Sequence, residues 1–202
     1  SCLERLNGMF SFAIWDQSKG HGKELLFFAR DRAGEKPFYY RHVNRRFEFS
    51  SELKGLSKIT EIDPQGLNHF LALGYVPNDL CIAKGVKKLK PGHAGVLDFE
   101  TGHFKVWKYW DLPSLSASHE KKIDGYELAE QAWSLLLDSV HLRLRSDVPT
   151  GIFLSGGLDS SLVTAAACHV SNDPVKTFTI GVPGSYMDET SHALKISDAF
   201  ST

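Results

Sequence analysis

The sequence predicts an α+β unit followed by the beginning of an α/β unit. Residues 7–52 and 85–112 consist of short apolar stretches separated by polar turns, which is typical of antiparallel strands. After residue 123 strand and helix patterns alternate, which predicts parallel strands joined by helical crossovers. The charged segment "PSLSASHEKK" at 113–122 has almost no apolar residues, and we interpret it as a linker.

Four short strands are predicted at the start of the first unit. Their sequences are "MFSFAIWD", "ELLFFAR", "KPFYYRHV" and "RRFEFSS". Alternation in the first strand puts Phe10, Phe12 and Ile14 on one face, as in a sheet that packs against something on that side. A hairpin closes the unit, with its turn near residues 100–102.

Two helical segments are predicted between these strands and the hairpin. The shorter one covers residues 51–58. The longer one, "DPQGLNHFLALGY", has Asp63 in position to cap the helix and Pro64 at its first position. One face of this helix is apolar and carries Leu67, Phe70 and Leu71.

The second unit begins with a long amphipathic helix at 124–145. Its apolar positions recur at helical spacing and are Leu128, Ala132, Leu135, Leu136 and Val140. The alternation that follows comprises a strand at 151–155, a helix at 159–170, a strand at 176–182 and a helix at 189–200.

The composition excludes several classes of protein. The chain has 202 residues, 42% of them hydrophobic and 23% charged, and its net charge of −1 gives no general attraction to nucleic acid or anionic membranes. No apolar run is long enough to cross a membrane, and the first residues do not resemble a signal peptide. The 3 cysteines are scattered, which predicts reduced thiols in the cytoplasm and no metal site.

The stretch "GIFLSGGLDSSLV" at 151–163 places a pair of glycines and several hydroxyls between a buried strand and a helix. Ligands of open α/β sheets bind at this end of a strand, and the N–H groups and dipole of a helix N-terminus favour an anion. The glycines let the main chain approach a ligand closely, and Ser155, Ser160 and Ser161 add hydroxyl donors. We therefore predict a phosphate site, although the turn is neither a Walker A loop nor a GxGxxG motif.

The same stretch carries a family resemblance. "SGGLDSS" resembles the pyrophosphate-binding SGGxDS motif of the ATP pyrophosphatase (PP-loop) superfamily, and "SDVPTGIFLSGGLDSSLV" resembles the glutamine-hydrolysing asparagine synthetases. "LNGMFSFAIWD", "RDRAGEKPFYY", "SSELKGL" and "GVKKLKPGH" resemble, in order, the later part of that family's glutaminase domain and its run toward the synthetase domain. "KTFTIGVPGSYMDET" resembles the second strand of the synthetase domain and its turn, so the resemblance covers nearly the whole chain.

The resemblance implies that residues 1–112 are the C-terminal part of an N-terminal-nucleophile glutaminase sandwich of antiparallel sheets. Residues 123–202 would begin a parallel-sheet domain of the PP-loop, adenine-nucleotide alpha hydrolase-like type. In the family, the first domain frees ammonia from glutamine, and the second adenylates the side-chain carboxylate of aspartate with Mg-ATP. Ammonia arrives through an internal tunnel and displaces AMP, which gives asparagine.

The resemblance also assigns residues to the nucleotide. Those around the ATP phosphates would be Ser155, Gly156, Gly157, Asp159, Ser160 and Ser161. The backbones of Leu154 and Ile180 would flank the adenine, and Asp159 would help to position Mg²⁺. Two local alternatives stay open: Asp159 or Ser155 caps the helix, and Ile180 belongs to a buried strand.

The catalytic parts of the family are expected outside this sequence. The family's nucleophilic cysteine, NGE motif and glutamine-binding residues precede the strand that "LNGMF" resembles, so Ser1 and Cys2 are interpreted as ordinary residues. The later SGEGSDE motif and the aspartate-contacting residues would follow Thr202. We therefore expect a segment of a longer protein that is incomplete and inactive by itself, with no catalytic residue.

The leading hypothesis is a glutamine-dependent asparagine synthetase whose partners are small molecules, namely ATP, aspartate, and glutamine or ammonia. One alternative is a related amidotransferase that acts on another carboxylate, in a cell-wall or surface sugar, a β-lactam or a peptide. Another is a truncated protein that only binds nucleotide. The oligomeric state stays open, with a homodimer as one option, and no nucleic-acid or membrane partner is expected.

Two clusters in the first unit also invite a functional interpretation. Arg30, Asp31 and Arg32 lie at a turn between strands, and a buried ion-pair loop that fixes the hairpin is favoured over an active site. The stretch "VWKYW" could be a platform for base stacking, but its alternation favours strand core and edge. Its aromatic residues are Trp107, Tyr109 and Trp110.

Overall fold

The computed structural model describes residues 2–18, 20–43, 46–114 and 124–202. The chain divides into two compact units, residues 1–115 and 116–202. The predicted linker at 113–122 lies mainly outside the described residues, so its structure and the domain limits remain predictions.

The first unit consists of two antiparallel sheets, as the strand pattern predicts. Its elements are α1 (Cys2–Arg5), β1 (Ser11–Asp16), β2 (Leu25–Arg30), β3 (Tyr39–Val43), β4 (Arg46–Ser50), a 3₁₀ turn (Leu53–Gly55), α2 (Pro64–Leu73), β5 (Lys87–Lys88), β6 (His93–Asp98) and β7 (Phe104–Lys108). The larger sheet has four strands in the order β1-β2-β6-β7, and the smaller has three in the order β4-β3-β5. All neighbouring strands in both sheets are antiparallel.

β2 is central to the first unit because it buries side chains on both faces. Phe28 is fully buried beside Leu26 and stacks on Phe38, with the ring centroids 5.2 Å apart. Ala29 is also fully buried and belongs to a second cluster with Leu3. Burying a side chain of the size of leucine or phenylalanine contributes about 1.5–3 kcal/mol. Side chains of β2 therefore pack the larger sheet against the segment that leads into β3.

Two predictions in the first unit need correction. Phe10 and Phe12 pack together in the cluster around Leu3, but Ile14 is 50% exposed because that cluster ends before it. The helix predicted at 51–58 is only a 3₁₀ turn.

α2 begins as predicted, but its apolar face is not what holds it in place. The Asp63 carboxylate caps the helix and accepts a hydrogen bond from the Gly66 N–H at 2.8 Å. Gly66 is the buried residue of the helix, because its lack of a side chain lets α2 lie against the backbone of Cys81. Phe70 and Leu71 are 47% and 74% exposed, so the apolar face lies on the surface of the unit.

The second unit shows the predicted alternation of helices and strands. Its elements are α3 (Gly125–Arg143), β8 (Ile152–Phe153), α4 (Leu158–Val170), β9 (Thr177–Phe178) and α5 (Thr190–Phe200). β8 and β9 pair in parallel, as predicted, but each is only two residues long. This pair agrees with an α/β arrangement, while the PP-loop fold remains a proposal. No helix of the described ranges has the length and apolar character needed to cross a membrane.

α3 packs against α4 through part of its predicted apolar face. Val140 and Ala167 are buried in the shared cluster, and Leu136 packs against it. Leu128 and Leu135 are 53% and 72% exposed, because the contacting stripe turns around the helix away from them.

The second unit has an uncovered apolar surface formed by Phe153 and Phe178 of its sheet and by Ile180 beyond β9, which are 79%, 56% and 78% exposed.

We expect limited proteolysis of the 202-residue polypeptide to cut first near 113–122, because the sequence of this predicted linker has almost no apolar residues. Residues after 123 should then be degraded, because segments with exposed apolar surface and few buried contacts open most readily. Mass spectrometry of the fragments tests this. Equal protection of both units would contradict it.

Candidate functional site

The predicted phosphate turn joins β8 to α4, and the strand before it is firmly held. Leu154 is 2% exposed, and its N–H donates to the Phe178 carbonyl oxygen at 2.9 Å. The Thr179 hydroxyl donates to the Leu154 carbonyl oxygen at 2.7 Å. The turn therefore leaves the sheet from a fixed point beside the end of β9.

Gly156 is required by the fold of the second unit itself. Its φ is +81°, in the left-handed region that side chains disfavour. A Cβ at this position would lie 2.5 Å from the His192 carbonyl carbon and 2.6 Å from the Ala193 nitrogen. The first glycine of the pair therefore allows the turn to pack against the first turn of α5.

Gly157 meets no comparable steric requirement among the described residues. It is the N-cap residue of α4, with φ −72° and ψ 167°, a conformation open to any residue. A Cβ there would meet only the Ser155 Oγ, at 3.4 Å. The structure thus separates the two glycines, because backbone packing requires the first, whereas the second has only the modest preference of glycine for an N-cap position.

The hydroxyls of the turn bond mainly to one another and to the turn's own backbone. The Oγ atoms of Ser155 and Ser160 lie 2.9 Å apart, and the Ser155 Oγ accepts from the Gly157 N–H at 3.3 Å. The Ser161 hydroxyl donates to the Gly157 carbonyl oxygen at 2.7 Å. These bonds shape the turn, so a phosphate would have to exchange with them to reach the hydroxyl protons.

The main chain at the start of α4 is the better anion-binding feature. Gly157 provides no side-chain cap, and the N–H groups in the first turn of a helix have no intrahelical acceptor. The positive end of the dipole of this 13-residue helix adds to their attraction for a negative charge. The structure therefore brings together backbone donors and two consecutive glycines at the end of a parallel strand.

The structure rules out one local alternative at Asp159 and weighs against the other at Ile180. No side chain caps α4, so the capping interpretation of Asp159 and Ser155 is wrong. Asp159 is exposed at the start of the helix. Ile180 is 78% exposed, beyond the end of β9, so the buried-strand interpretation is wrong for the described residues. The nucleotide roles of both residues remain proposals.

Sequence reasoning missed the residues that support the turn from behind. Thr179 ties the two strand ends together, and His192 and Ala193 provide the backbone on which Gly156 rests. Before α5, the Thr190 hydroxyl and N–H donate to one oxygen of Asp188, at 2.5 Å and 3.1 Å. These bonds lower the pKa of the Asp188 carboxyl. The only sequence signal was the hydroxyl of Thr179 directly after an apolar strand.

Asp31 fixes the loop after β2 through backbone amides. It is 1% exposed, and its carboxylate accepts from the N–H groups of Glu35, Lys36 and Phe10 at 2.9, 3.0 and 3.3 Å. Burial raises the pKa of this carboxyl, but the amide hydrogen bonds outweigh burial and hold the pKa below its ordinary value. The prediction of a structural loop agrees with this geometry.

The ion-pair part of that prediction is wrong for the described residues, where no cationic group lies within 4.0 Å of the Asp31 carboxylate. Arg30 instead donates through Nε to the Lys36 carbonyl oxygen at 2.8 Å and through Nη1 to that of Leu89 at 2.6 Å. Its carbonyl oxygen accepts from the Tyr109 hydroxyl at 2.8 Å. Backbone groups, rather than opposite charges, hold the loop.

The other residues that the sequence singled out are placed as follows in the structure. Trp107 and Tyr109 pack against the cluster around Leu3, as the strand interpretation predicts. Cys2 is an exposed free thiol, and Ser1 lies outside the described residues. Within the described ranges, no three His, Cys, Asp or Glu side chains are grouped in a way that could hold a metal ion.

Comparison with known proteins gives two matches in the order of the two units. A family model described as a glutamine amidotransferase domain matches residues 1–110, and one described as asparagine synthase matches residues 131–202. The first unit is thus of the glutamine amidotransferase class. The chain belongs to the family in which this domain is joined to an asparagine synthase domain.

Curated relatives show the same relationship over part of their length. The chain is 38% identical over 208 residues to putative asparagine synthetase (glutamine-hydrolyzing) 2 of Methanocaldococcus jannaschii, a match that covers 100% of the chain and 39% of the relative. It is 40% identical to asparagine synthetase (glutamine-hydrolyzing) 3 of Bacillus subtilis, over 89% of the chain and 29% of the relative. Amidase chry2 of Gibberella zeae is 30% identical over 87% of the chain and 26% of that protein. The chain therefore spans about two fifths or less of these relatives.

Proposed function

We propose that the protein carrying this chain is a glutamine-dependent, amide-forming ligase that makes asparagine. ATP and the side-chain carboxylate of aspartate form an aspartyl adenylate and pyrophosphate. Ammonia from glutamine then attacks the activated carbonyl carbon, and AMP leaves with its bonding electron pair. A carboxylate resists attack by ammonia until one of its oxygens becomes part of a good leaving group, which is the role of adenylation.

The main chain around Gly157 carries this proposal. It presents helix N–H donors beside a glycine whose hydrogen side chain the chain itself does not require. A phosphate chain lying across this turn would explain both features. The two family matches support the same assignment, since the turn falls within the asparagine synthase match at 131–202.

The other residues of the turn would contact different parts of the nucleotide. Ser155, Ser160 and Ser161 would exchange their internal hydrogen bonds for phosphate oxygens, and the backbones of Leu154 and Ile180 would border the adenine. Mg²⁺ would arrive with ATP as a substrate complex. Asp159 is exposed at the helix start and has the hard oxygen ligand that this ion prefers. Cytoplasmic location and the option of a homodimer belong to the proposal as well.

A related enzyme that acts on another carboxylate is the second candidate. The match to amidase chry2, whose name is not that of an asparagine synthetase, favours keeping it. Both candidates share the adenylation chemistry and differ only in the acceptor acid.

The test uses the protein at its natural full length, with Mg-ATP, ammonia and one carboxylic acid at a time, and follows AMP and pyrophosphate. We expect both products only with aspartate, with asparagine formed and glutamine able to replace ammonia. Products with a different acid would establish the second candidate. ADP and phosphate, or no turnover with any acid, would overturn the proposal.

A further inference from the structure

An open cavity in the first unit has a strongly cationic lining that the proposed reaction does not use. Its volume is about 750 Å³, within the range of small-molecule sites. The charged residues of its lining, apart from His93, are Arg30, Arg32, Lys88, Lys90, Lys108 and Asp111. Tyr75 and Trp110 add aromatic surface. The cavity thus combines converging positive charge with room for an organic group.

Two of these cations are neutralised by neighbouring carboxylates. Lys108 forms an ion pair with Asp111, and the Lys90 Nζ lies 3.3 Å from a carboxylate oxygen of Asp79. Both lysines remain partly exposed, at 51% and 45% of their side chains. Exposed pairs of this kind are weak and can exchange a partner for a stronger anion.

Arg30, Arg32 and Lys88 form no such ion pair, because none of them lies within 4.0 Å of a carboxylate among the described residues. Their observed hydrogen bonds go to backbone carbonyl groups, as in the bond from the Lys88 Nζ to the Val76 carbonyl oxygen. Burial holds the pKa of Lys88 below its ordinary value, with a further lowering from the charge of Arg30 and opposing contributions from Cys81 and Asp79. The Asp31 carboxylate bonds to backbone amides and not to these cations, although its charge raises the pKa of Arg30 against the lowering effect of burial.

Arg32 provides an independent sign of a missing partner. Its Nε is shielded from solvent and has no hydrogen-bond partner among the described residues, although buried polar atoms are nearly always bonded. Its Nη2 makes only a long bond of 3.4 Å, to the Glu4 carbonyl oxygen. A guanidinium group with free donors is suited to bind phosphate or carboxylate oxygens.

From this arrangement we infer that the cavity binds a small polyanion through its phosphate or carboxylate groups, with Arg32, Lys90 and Lys108 as its main contacts. The anion would relieve the repulsion among the clustered cations and supply acceptors for Arg32. The site consists of residues other than those of the turn at 155–161 and does not depend on the function proposed for that turn.

The test measures protection of individual lysines in the protein at its natural full length. Pyrophosphate and citrate are added separately, and lysine acetylation is followed by mass spectrometry. We expect either probe to slow acetylation of Lys90 and Lys108 at least about threefold and to leave Lys105 unchanged, since Lys105 is exposed on the same strand as Lys108 but does not line the cavity. Protection by pyrophosphate alone would identify phosphate as the preferred group, and protection by citrate alone would identify carboxylate.

Charge-removing variants supply the matched control. Lys108→Gln and Arg32→Gln are each expected to weaken probe binding about tenfold in calorimetry, the value of one charge-assisted hydrogen bond, whereas Lys105→Gln should not change it. Three results would overturn the inference: no protection by either probe, equal protection of Lys105, or full protection of Lys90 and Lys108 without a probe. The last would show that an acidic part of the protein itself covers the cavity.

Discussion

Replacing Gly157 by alanine is expected to leave the second unit folded and to reduce ATP-dependent pyrophosphate formation about a hundredfold. The backbone conformation at 157 suits alanine, and the added Cβ would meet only the Ser155 Oγ at 3.4 Å. Alanine is a poorer N-cap than glycine, which costs roughly 1 kcal/mol or less. The same methyl group would stand between the main-chain donors and a phosphate, and losing one such donor costs about 2.7–4 kcal/mol in a transition state.

Gly156→Ala is the matched variant, and it should behave in the opposite way. Its φ of +81° and its approach to the backbone of α5 make a side chain costly for the fold, by about 2–4 kcal/mol. Thermal unfolding and pyrophosphate release are measured for both variants in the full-length protein. Unchanged turnover in Gly157→Ala, with a normal unfolding temperature, would show that no phosphate approaches this turn.

The parts of the fold that follow a short local period could be predicted from the sequence. In β2 the continuous apolar run reflects two buried faces, because successive side chains of a strand point to opposite sides. The N-terminus of α2 was equally readable, because a capping aspartate followed by proline is a local pattern. Local geometry of this kind does not depend on distant partners.

The tertiary contacts that hold each element in place could not be predicted from local sequence patterns. α2 is anchored by Gly66 against the backbone of Cys81, while its apolar face remains exposed. A helical apolar stripe shows which side could be buried, but it does not show whether another element covers it. Where two backbones pack closely, the sequence shows only a glycine. Glycine is equally typical of turns and helix ends, so it does not identify such a contact.

The candidate site shows the same division. The strand–turn–helix sequence predicted the turn and its hydroxyls. The role of Gly156 depends on α5, which lies far along the chain and carries no motif for this contact. Asp31 is a similar case, because the sequence shows a carboxylate at a turn but not what it binds. Every residue except proline has a backbone amide, so the amides that bind Asp31 leave no pattern in the sequence. The neighbouring arginines suggested an ion pair, which was wrong.

Replacing Asp31 by alanine is expected to destabilise the first unit by about 3–5 kcal/mol. The substitution would leave the partly buried amides of Phe10, Glu35 and Lys36 without their acceptor, and each unsatisfied group costs about 1–3 kcal/mol before water or relaxation offsets part of the loss. Asp31→Asn keeps one acceptor oxygen but turns an NH₂ group toward these donors, so a smaller loss of about 2 kcal/mol is expected. Glu100→Gln, an exposed change in the β6–β7 turn, should have almost no effect.

The stabilisation from Asp31 should also depend on pH in a defined direction. The pKa of its carboxyl is lower in the folded state than the ordinary value, so the folded state favours the charged form. The benefit is fully present above the unfolded-state pKa of about 4 and is lost as the pH falls through the lower folded-state pKa. Denaturant unfolding is followed by tryptophan fluorescence in a Trp133→Phe background, so that Trp15, Trp107 and Trp110 report the first unit. The stability difference between the parent protein and Asp31→Asn should be constant from about pH 5 to 8 and shrink below about pH 4. A difference that persists unchanged in strong acid would mean that the charge of Asp31 does not hold the loop.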